Sequence, residues 1–97
     1  MVTYVMLGNF TQQGIQTVKD LGSRIDAARK VFGEMGVQMT SLVYTMGQYD
    51  VVAIFNAPDD ETFTKALLAI AETGNIRTET LRAFSEDEFR IITTSLP

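Results

Sequence analysis

Residues 37–56, VQMTSLVYTMGQYDVVAIFN, contain the pattern that is most informative about the fold. Two runs rich in β-branched and aromatic side chains, residues 37–46 and 49–56, enclose Gly47 and Gln48. Runs of this kind separated by two turn-forming residues are typical of an antiparallel β-hairpin. We therefore expect two paired strands in the middle of the chain, joined by a two-residue turn.

The segment before this hairpin contains one strand and one interrupted helix. Residues 2–7 are almost all apolar, aromatic or β-branched and end at a Gly-Asn pair, which predicts an interior strand. Apolar residues then recur every three or four positions as far as Met35, as in an amphipathic helix. A Gly-Ser pair interrupts the pattern. It predicts a short helical piece over residues 12–19 and a main helix that Ser23 caps and Gly36 closes.

The segment after the hairpin repeats the order of helix and strand. An acidic stretch with Asp59 as N-cap predicts a second helix that ends at Gly74. Residues 76–84 alternate two unlike sets of side chains, which predicts a strand with two different faces. Ser85 and Glu88 have the spacing of a capping box, so a short C-terminal helix should follow.

This order of elements predicts an α+β protein with the ferredoxin-like βαββαβ fold. In that fold a four-stranded antiparallel sheet carries two helices on one face, here with a short C-terminal helix added. A chain of 97 residues has the length for one core, so we expect a single domain over residues 1–97. Neither an export signal nor an apolar run of roughly 20 residues is visible, and we expect a cytoplasmic protein that does not enter membranes.

Composition excludes several classes of function. Eight Lys and Arg against 12 Asp and Glu give a net charge of -4, which argues against nucleic acid and anionic lipid as partners. The chain has no Cys and no His, so His-based triads, thiolate nucleophiles and the usual zinc sites are excluded. Two acidic clusters, residues 59–61 and 86–88, lie where helices begin and are interpreted as caps. We therefore expect no metal and no cofactor.

The second face of the predicted sheet indicates that the chain forms an oligomer. Two helices cover one face only, and the other must be polar or buried by a partner. If Val52 and Ile54 point towards the helices, alternation leaves an apolar set of side chains on the uncovered face. This set consists of Tyr4, Met6, Phe10, Tyr49, Val51, Ala53 and Phe55. Such a face is too apolar for a monomer, so we expect a homodimer or a higher even oligomer.

The hairpin region also carries a family resemblance. At residues 46–52, MGQYDVV, the chain resembles the GYD-domain family, which is named for a Gly, a Tyr and an Asp at this place. Further similar segments are residues 4–5, 13–15, 18–20, 57–60 and 74–84. The resemblance implies a ferredoxin-like subunit of the dimeric α/β-barrel type, in a family without an established biochemical role.

Tyr49 and Asp50, which begin the third predicted strand, have a functional and a structural interpretation. A phenol beside a carboxylate can bind a small molecule or exchange a proton. Equally, an Asp near a tight turn commonly accepts backbone N–H groups, and a Tyr at a strand start commonly packs its ring and keeps its hydroxyl in water. The sequence leaves both interpretations open.

Two hypotheses about function follow. The first is a small-molecule-binding homo-oligomeric module with a largely apolar cavity between sheet and helices. The residues expected at the edge of that cavity are Tyr4, Asn9, Tyr49, Asp50 and Thr78. The alternative is a cofactor-independent enzyme of the isomerase, cyclase or monooxygenase type, in which Tyr49 acts with Asp50 or Glu79; it rests on analogy with other proteins of the fold. Since His is absent, the binding hypothesis is placed first.

Overall fold

The computed structural model describes residues 1–97, which form four strands and four helices. The strands are β1 (Val2–Phe10), β2 (Gln38–Tyr44), β3 (Val51–Ala57) and β4 (Ile76–Ala83). The helices are α1 (Gln12–Gln16), α2 (Leu21–Glu34), α3 (Asp60–Ala71) and α4 (Glu86–Thr94), with a 3₁₀ turn at Val18–Asp20. The strands form one antiparallel sheet in the order β2-β3-β1-β4. This confirms the predicted ferredoxin-like α+β fold.

The core lies between the sheet and the two long helices α2 and α3. Phe55 of β3 is completely buried and packs edge-on against Phe32 of α2, with 5.1 Å between the ring centroids. Phe63 of α3 stacks on Tyr4 of β1 at 4.2 Å. Each helix thus places one aromatic ring on the sheet, and burial of such large apolar rings is the main favourable contribution to folding.

The prediction of which strand residues face the helices was wrong, and the two faces are exchanged. Tyr4, Met6, Val51, Ala53 and Phe55 are buried on the helix-covered face. Both faces of β1 and β3 are apolar in sequence, so alternation alone does not identify the covered one. The aromatic rings of α2 and α3 identify it, because Phe63 stacks on Tyr4 and Phe32 packs edge-on against Phe55.

The open face consequently carries aliphatic side chains at its centre and polar ones at its ends. Val52 and Ile54 of β3 are adjacent to Leu7 and Val5 of β1 in the sheet, and Leu81 of β4 is opposite Val5. Ile54 and Leu81 are exposed on this face, and the other three side chains are partly exposed. At one end Thr3 donates a hydrogen bond to Asn56 across the strands.

The break between the first two helices falls earlier than predicted. Helix α2 begins at Leu21, so Gly22 and Ser23 lie in its first turn and Ser23 is not the cap. The guanidinium of Arg24 donates to the carbonyls of Gly14 and Thr17, and thereby provides hydrogen bonds for backbone carbonyl groups at the end of α1. Gly36 closes α2 with a φ of +75°, as predicted for a C-terminal glycine.

The connection between β2 and β3 is longer than the predicted two-residue turn. Residues 45–50 lie outside both strands, and the Thr45 N–H closes the loop by donating to the carbonyl of Asp50. Strand β1 also continues through Gly8 to Phe10. Gly8 is extended between β3 and β4, and a β-carbon there would lie 2.8 Å from the terminal methyl of Ile76.

Both predicted helix caps in the second half of the chain are confirmed. The Asp59 side chain accepts from the Thr62 N–H at the start of α3. Ser85 and Glu88 form a complete capping box at the start of α4. Helix α4 has no buried residue, and its Phe89 contacts Phe84 just before the helix. None of the helices has the length and apolar character needed to cross a membrane.

Candidate functional site

An apolar cavity of about 230 Å³ lies between α2, α3 and the covered face of the sheet. Its walls come from all of these elements, for example Val31 of α2, Ile70 of α3 and Leu42 of β2. Two small residues, Ala28 of α2 and Ala53 of β3, also line it. Because they fill little of the space between helix and sheet, this part of the core retains an open volume.

Arg24 is the only charged residue that lines this cavity. It lies in the first turns of α2, and its Nη2 atom is 3.1 Å from the Gly14 carbonyl oxygen and 3.2 Å from that of Thr17. Its Nε atom is buried and has no hydrogen-bond partner. The cavity therefore has apolar walls and a single cationic group, a composition typical of small-molecule sites.

Asp50 has the structural role that the sequence left open. Its carboxylate accepts a hydrogen bond of 3.0 Å from the Phe10 N–H, and its own N–H donates to the Gly8 carbonyl. These two bonds join the end of β1 to the start of β3. Asp50 thus satisfies backbone groups at the point where both strands leave the regular sheet.

Tyr49 pairs with Glu79 and not with Asp50. The Tyr49 hydroxyl donates a 2.9 Å hydrogen bond to a carboxylate oxygen of Glu79, which lies on the open face opposite Leu7. This hydrogen bond is the main reason that the pKa of Tyr49 is raised, with desolvation contributing less. At neutral pH the pair therefore consists of a protonated phenol that donates to the carboxylate.

The other three predicted site residues lie in different surroundings. Tyr4 is buried in the core and its hydroxyl donates to Asp60 at the start of α3. Burial, followed by this hydrogen bond, raises the pKa of Tyr4 to about 12. Asn9 lies opposite Arg77, and the exposed Thr78 lies opposite Gly8.

The structure brings Asn9, Tyr49, Asp50 and Thr78 to one end of the sheet, but on different sides of it. Tyr4 is four residues before Gly8 on β1, about 13 Å away at 3.3 Å per residue. None of the five lines the cavity. No set of three Asp, Glu, His or Cys side chains is arranged to hold a metal ion.

Sequence reasoning missed Arg24, although a signal for it was present. Arg24 follows Leu21 by three residues and precedes Ala28 by four, so it occupies a position on the apolar stripe of α2. A charged residue on the buried side of an amphipathic helix is uncommon unless it has a partner.

Comparison with known proteins gives consistent matches. The family model described as "GYD domain" matches residues 4–92. A protein of Thermus thermophilus, named "Glutamine synthetase and cystathionine beta-lyase binding protein", is 30% identical over 84 residues, which are 86% of this chain and 88% of that protein.

Two solved structures resemble the fold. A protein from Thermus thermophilus is 26% identical, with a TM-score of 0.56 over 88% of this chain and 95% of that one. A dimeric ferredoxin-like protein from an uncultured marine organism is 12% identical, with a TM-score of 0.55 and the same coverage of both chains. The second likeness concerns the fold alone.

Proposed function

The chain belongs to the GYD-domain family, and we propose that it is a small-molecule-binding module that works as a homo-oligomer. The observation that carries the proposal is the cavity of about 230 Å³ between helices and sheet. Apolar walls with one or a few polar groups are what a small ligand requires for both affinity and orientation. The printed name of the Thermus thermophilus relative describes a binding protein, which supports a binding role in general.

The homo-oligomer follows from the open face of the sheet. Ile54 and Leu81 are 36% and 47% exposed in the monomer, with Val5, Leu7 and Val52 beside them. Contact with the same face of a second copy removes these aliphatic groups from water. The proposed two-fold dimer thus uses the uncovered face, as the sequence predicted, but with these residues in place of those that alternation assigned to it.

The enzyme alternative gains no support from the relatives, and of its two candidate pairs only Tyr49 with Glu79 forms. Asp50 is engaged with the Phe10 N–H. Tyr49 and Glu79 form a hydrogen-bonded pair at the end of the open face, away from the cavity. Because the raised pKa of Tyr49 leaves its phenolate even less populated at neutral pH, the residue is less available as a general base.

Native mass spectrometry of the protein purified from its own source tests both parts of the proposal. We expect twice 10.8 kDa, or an even multiple, plus the mass of a retained small molecule. Ile54→Lys should give the monomer mass, because a charge buried in an apolar interface costs roughly several kcal/mol.

The matched control is Leu68→Lys, which places the same charge at a 60% exposed position on α3. It should retain the mass of the wild type. A wild-type monomer at micromolar concentration contradicts the homo-oligomer. An oligomer that never carries a small molecule, whatever the source preparation, contradicts the binding role.

A further inference from the structure

We propose that the ligand of the cavity is a carboxylate with a compact apolar body, and that Arg24 recognises its charge. The inference rests on the proposed small-molecule-binding function and specifies the class of ligand. It follows from three features of the cavity: the guanidinium whose buried Nε has no partner, the chemistry of the walls and the volume.

The first feature is that Arg24 has no anionic partner. The ion pair in the structure joins Arg90 to Glu86 on the surface of α4. Arg24 donates only through Nη2, to the two backbone carbonyls of the α1 region, and its Nε remains buried without a partner. A buried donor that forms no hydrogen bond is costly, and in native proteins it is expected to have a partner that the protein alone does not provide. The planar guanidinium is suited to a carboxylate.

The second feature is the absence of acidic side chains from the cavity wall. Aliphatic and aromatic residues make up most of it, including Leu21, Ile25 and Phe32 beside Arg24 on the same helix. An anionic head group at Arg24 therefore experiences no like charge from the wall, whereas an ammonium group would find no counter-ion. These walls favour a simple carboxylic acid over an amine or a zwitterionic amino acid.

The third feature is the size of the cavity. An apolar protein cavity of about 150 Å³ accommodates benzene. The present volume of about 230 Å³ leaves room for a chain of roughly eight carbons or for a phenyl ring with a short acid chain. Tyr44, which lines the cavity but is 49% exposed, marks the edge at which a longer ligand would reach solvent.

The test is a calorimetric titration of the full-length protein with octanoate, 1-octanol and octylamine at neutral pH. These probes share a chain and differ in head group. We expect octanoate to bind about tenfold more tightly than 1-octanol, since a hydrogen bond to a charged group is worth more than one to a neutral group. Octylamine should bind more weakly than 1-octanol.

Two pairs of variants locate the interaction. Arg24→Gln should lower the affinity for octanoate to that for 1-octanol. Its control, Arg29→Gln, changes an exposed arginine of the same helix outside this cavity and should bind as the wild type does. Ala28→Leu should abolish binding of octanoate and of 1-octanol by filling the cavity. Its control, Ala71→Leu, lies at an exposed position of α3 and should not abolish it.

The possible outcomes distinguish failure of the carboxylate inference from failure of the proposed small-molecule-binding function. Equal affinity of the wild type for octanoate and 1-octanol overturns the carboxylate inference and leaves small-molecule binding intact. Octanoate binding that survives Ala28→Leu places the ligand elsewhere and also overturns the inference. If neither octanoate nor 1-octanol binds the wild type, the cavity is not a small-molecule site. The titrations of the wild type with the three probes need no variant. They therefore remain decisive even if Arg24→Gln folds poorly.

Discussion

The two faces of the sheet are similar in sequence and different in their surroundings. On the covered face, Ala53 and Phe55 of β3 are fully buried beneath α2 and α3. On the open face, Ile54, which lies between them in the same strand, is more than one-third exposed. The hydrophobicity of a strand therefore indicates that both of its faces must be buried. It does not indicate which face the helices of the same chain bury.

The largest difference between the two faces is expected when neighbouring residues on opposite faces are truncated. Phe55→Ala should lower the free energy of unfolding by about 3–5 kcal/mol, because it removes a fully buried ring packed between Phe32 and Phe63. Ile54→Ala, measured by urea denaturation at a concentration where the chain is monomeric, should cost less than about 1 kcal/mol. Equal losses for the two variants would contradict the assignment of faces.

A smaller effect is expected for the one hydroxyl buried on the covered face. Tyr4→Phe keeps the ring stacked on Phe63 and removes the hydrogen bond to Asp60, so it should cost about 1–3 kcal/mol at neutral pH. The folded state raises the pKa of Tyr4 from 10.0 to about 12, which means that folding favours the protonated phenol. The corresponding stability is complete below pH 10 and is lost as the pH rises towards 12.

Chemical denaturation between about pH 9 and about pH 12 measures this dependence. Tyr4→Phe should lose less stability than the wild type over that interval. The control Tyr44→Phe removes a hydroxyl from a half-exposed ring and should keep the wild-type profile. A Tyr4→Phe profile that falls as steeply as that of the wild type would show that Tyr4 is not the group responsible.

The smallest predicted effects concern the end of the sheet, where polar groups join β1 to β3. Asp50→Ala removes the acceptor of the Phe10 N–H and should cost about 1–2 kcal/mol. Asp50→Asn retains an acceptor oxygen and should cost about 1 kcal/mol or less. Thermal melts of both variants check this order. If Asp50→Asn is as damaging as Asp50→Ala, the negative charge itself matters and the structural interpretation is incomplete.

The local chemistry of the chain was sufficient to predict most elements. Ser85 with Glu88, Asp59, and Gly36 mark helix ends by hydrogen bonds and backbone angles that involve only neighbouring residues. The alternation in residues 76–83 fixes which side chains of β4 share a face. Such features are readable from sequence because the groups that interact are a few positions apart.

Features that depend on distant partners were misplaced. Helix α2 begins at Leu21, ahead of the Gly-Ser pair, and its Arg24 donates back to the carbonyls of Gly14 and Thr17. Strand β1 passes through Gly8 because two neighbouring strands hold it extended. Neither relation follows from local propensity, which tertiary contacts routinely override.

Residue identity and short-range periodicity are enough to identify the family, the ferredoxin-like order of elements and the exclusion of His- and Cys-based chemistry. The packing of helices on the sheet is needed to show which face is covered, that Asp50 bonds to backbone while Tyr49 bonds to Glu79, and that Arg24 lines a cavity. The reason is physical: a cavity and a face are made by side chains from separate elements, and their positions exist only once the helices have packed on the sheet.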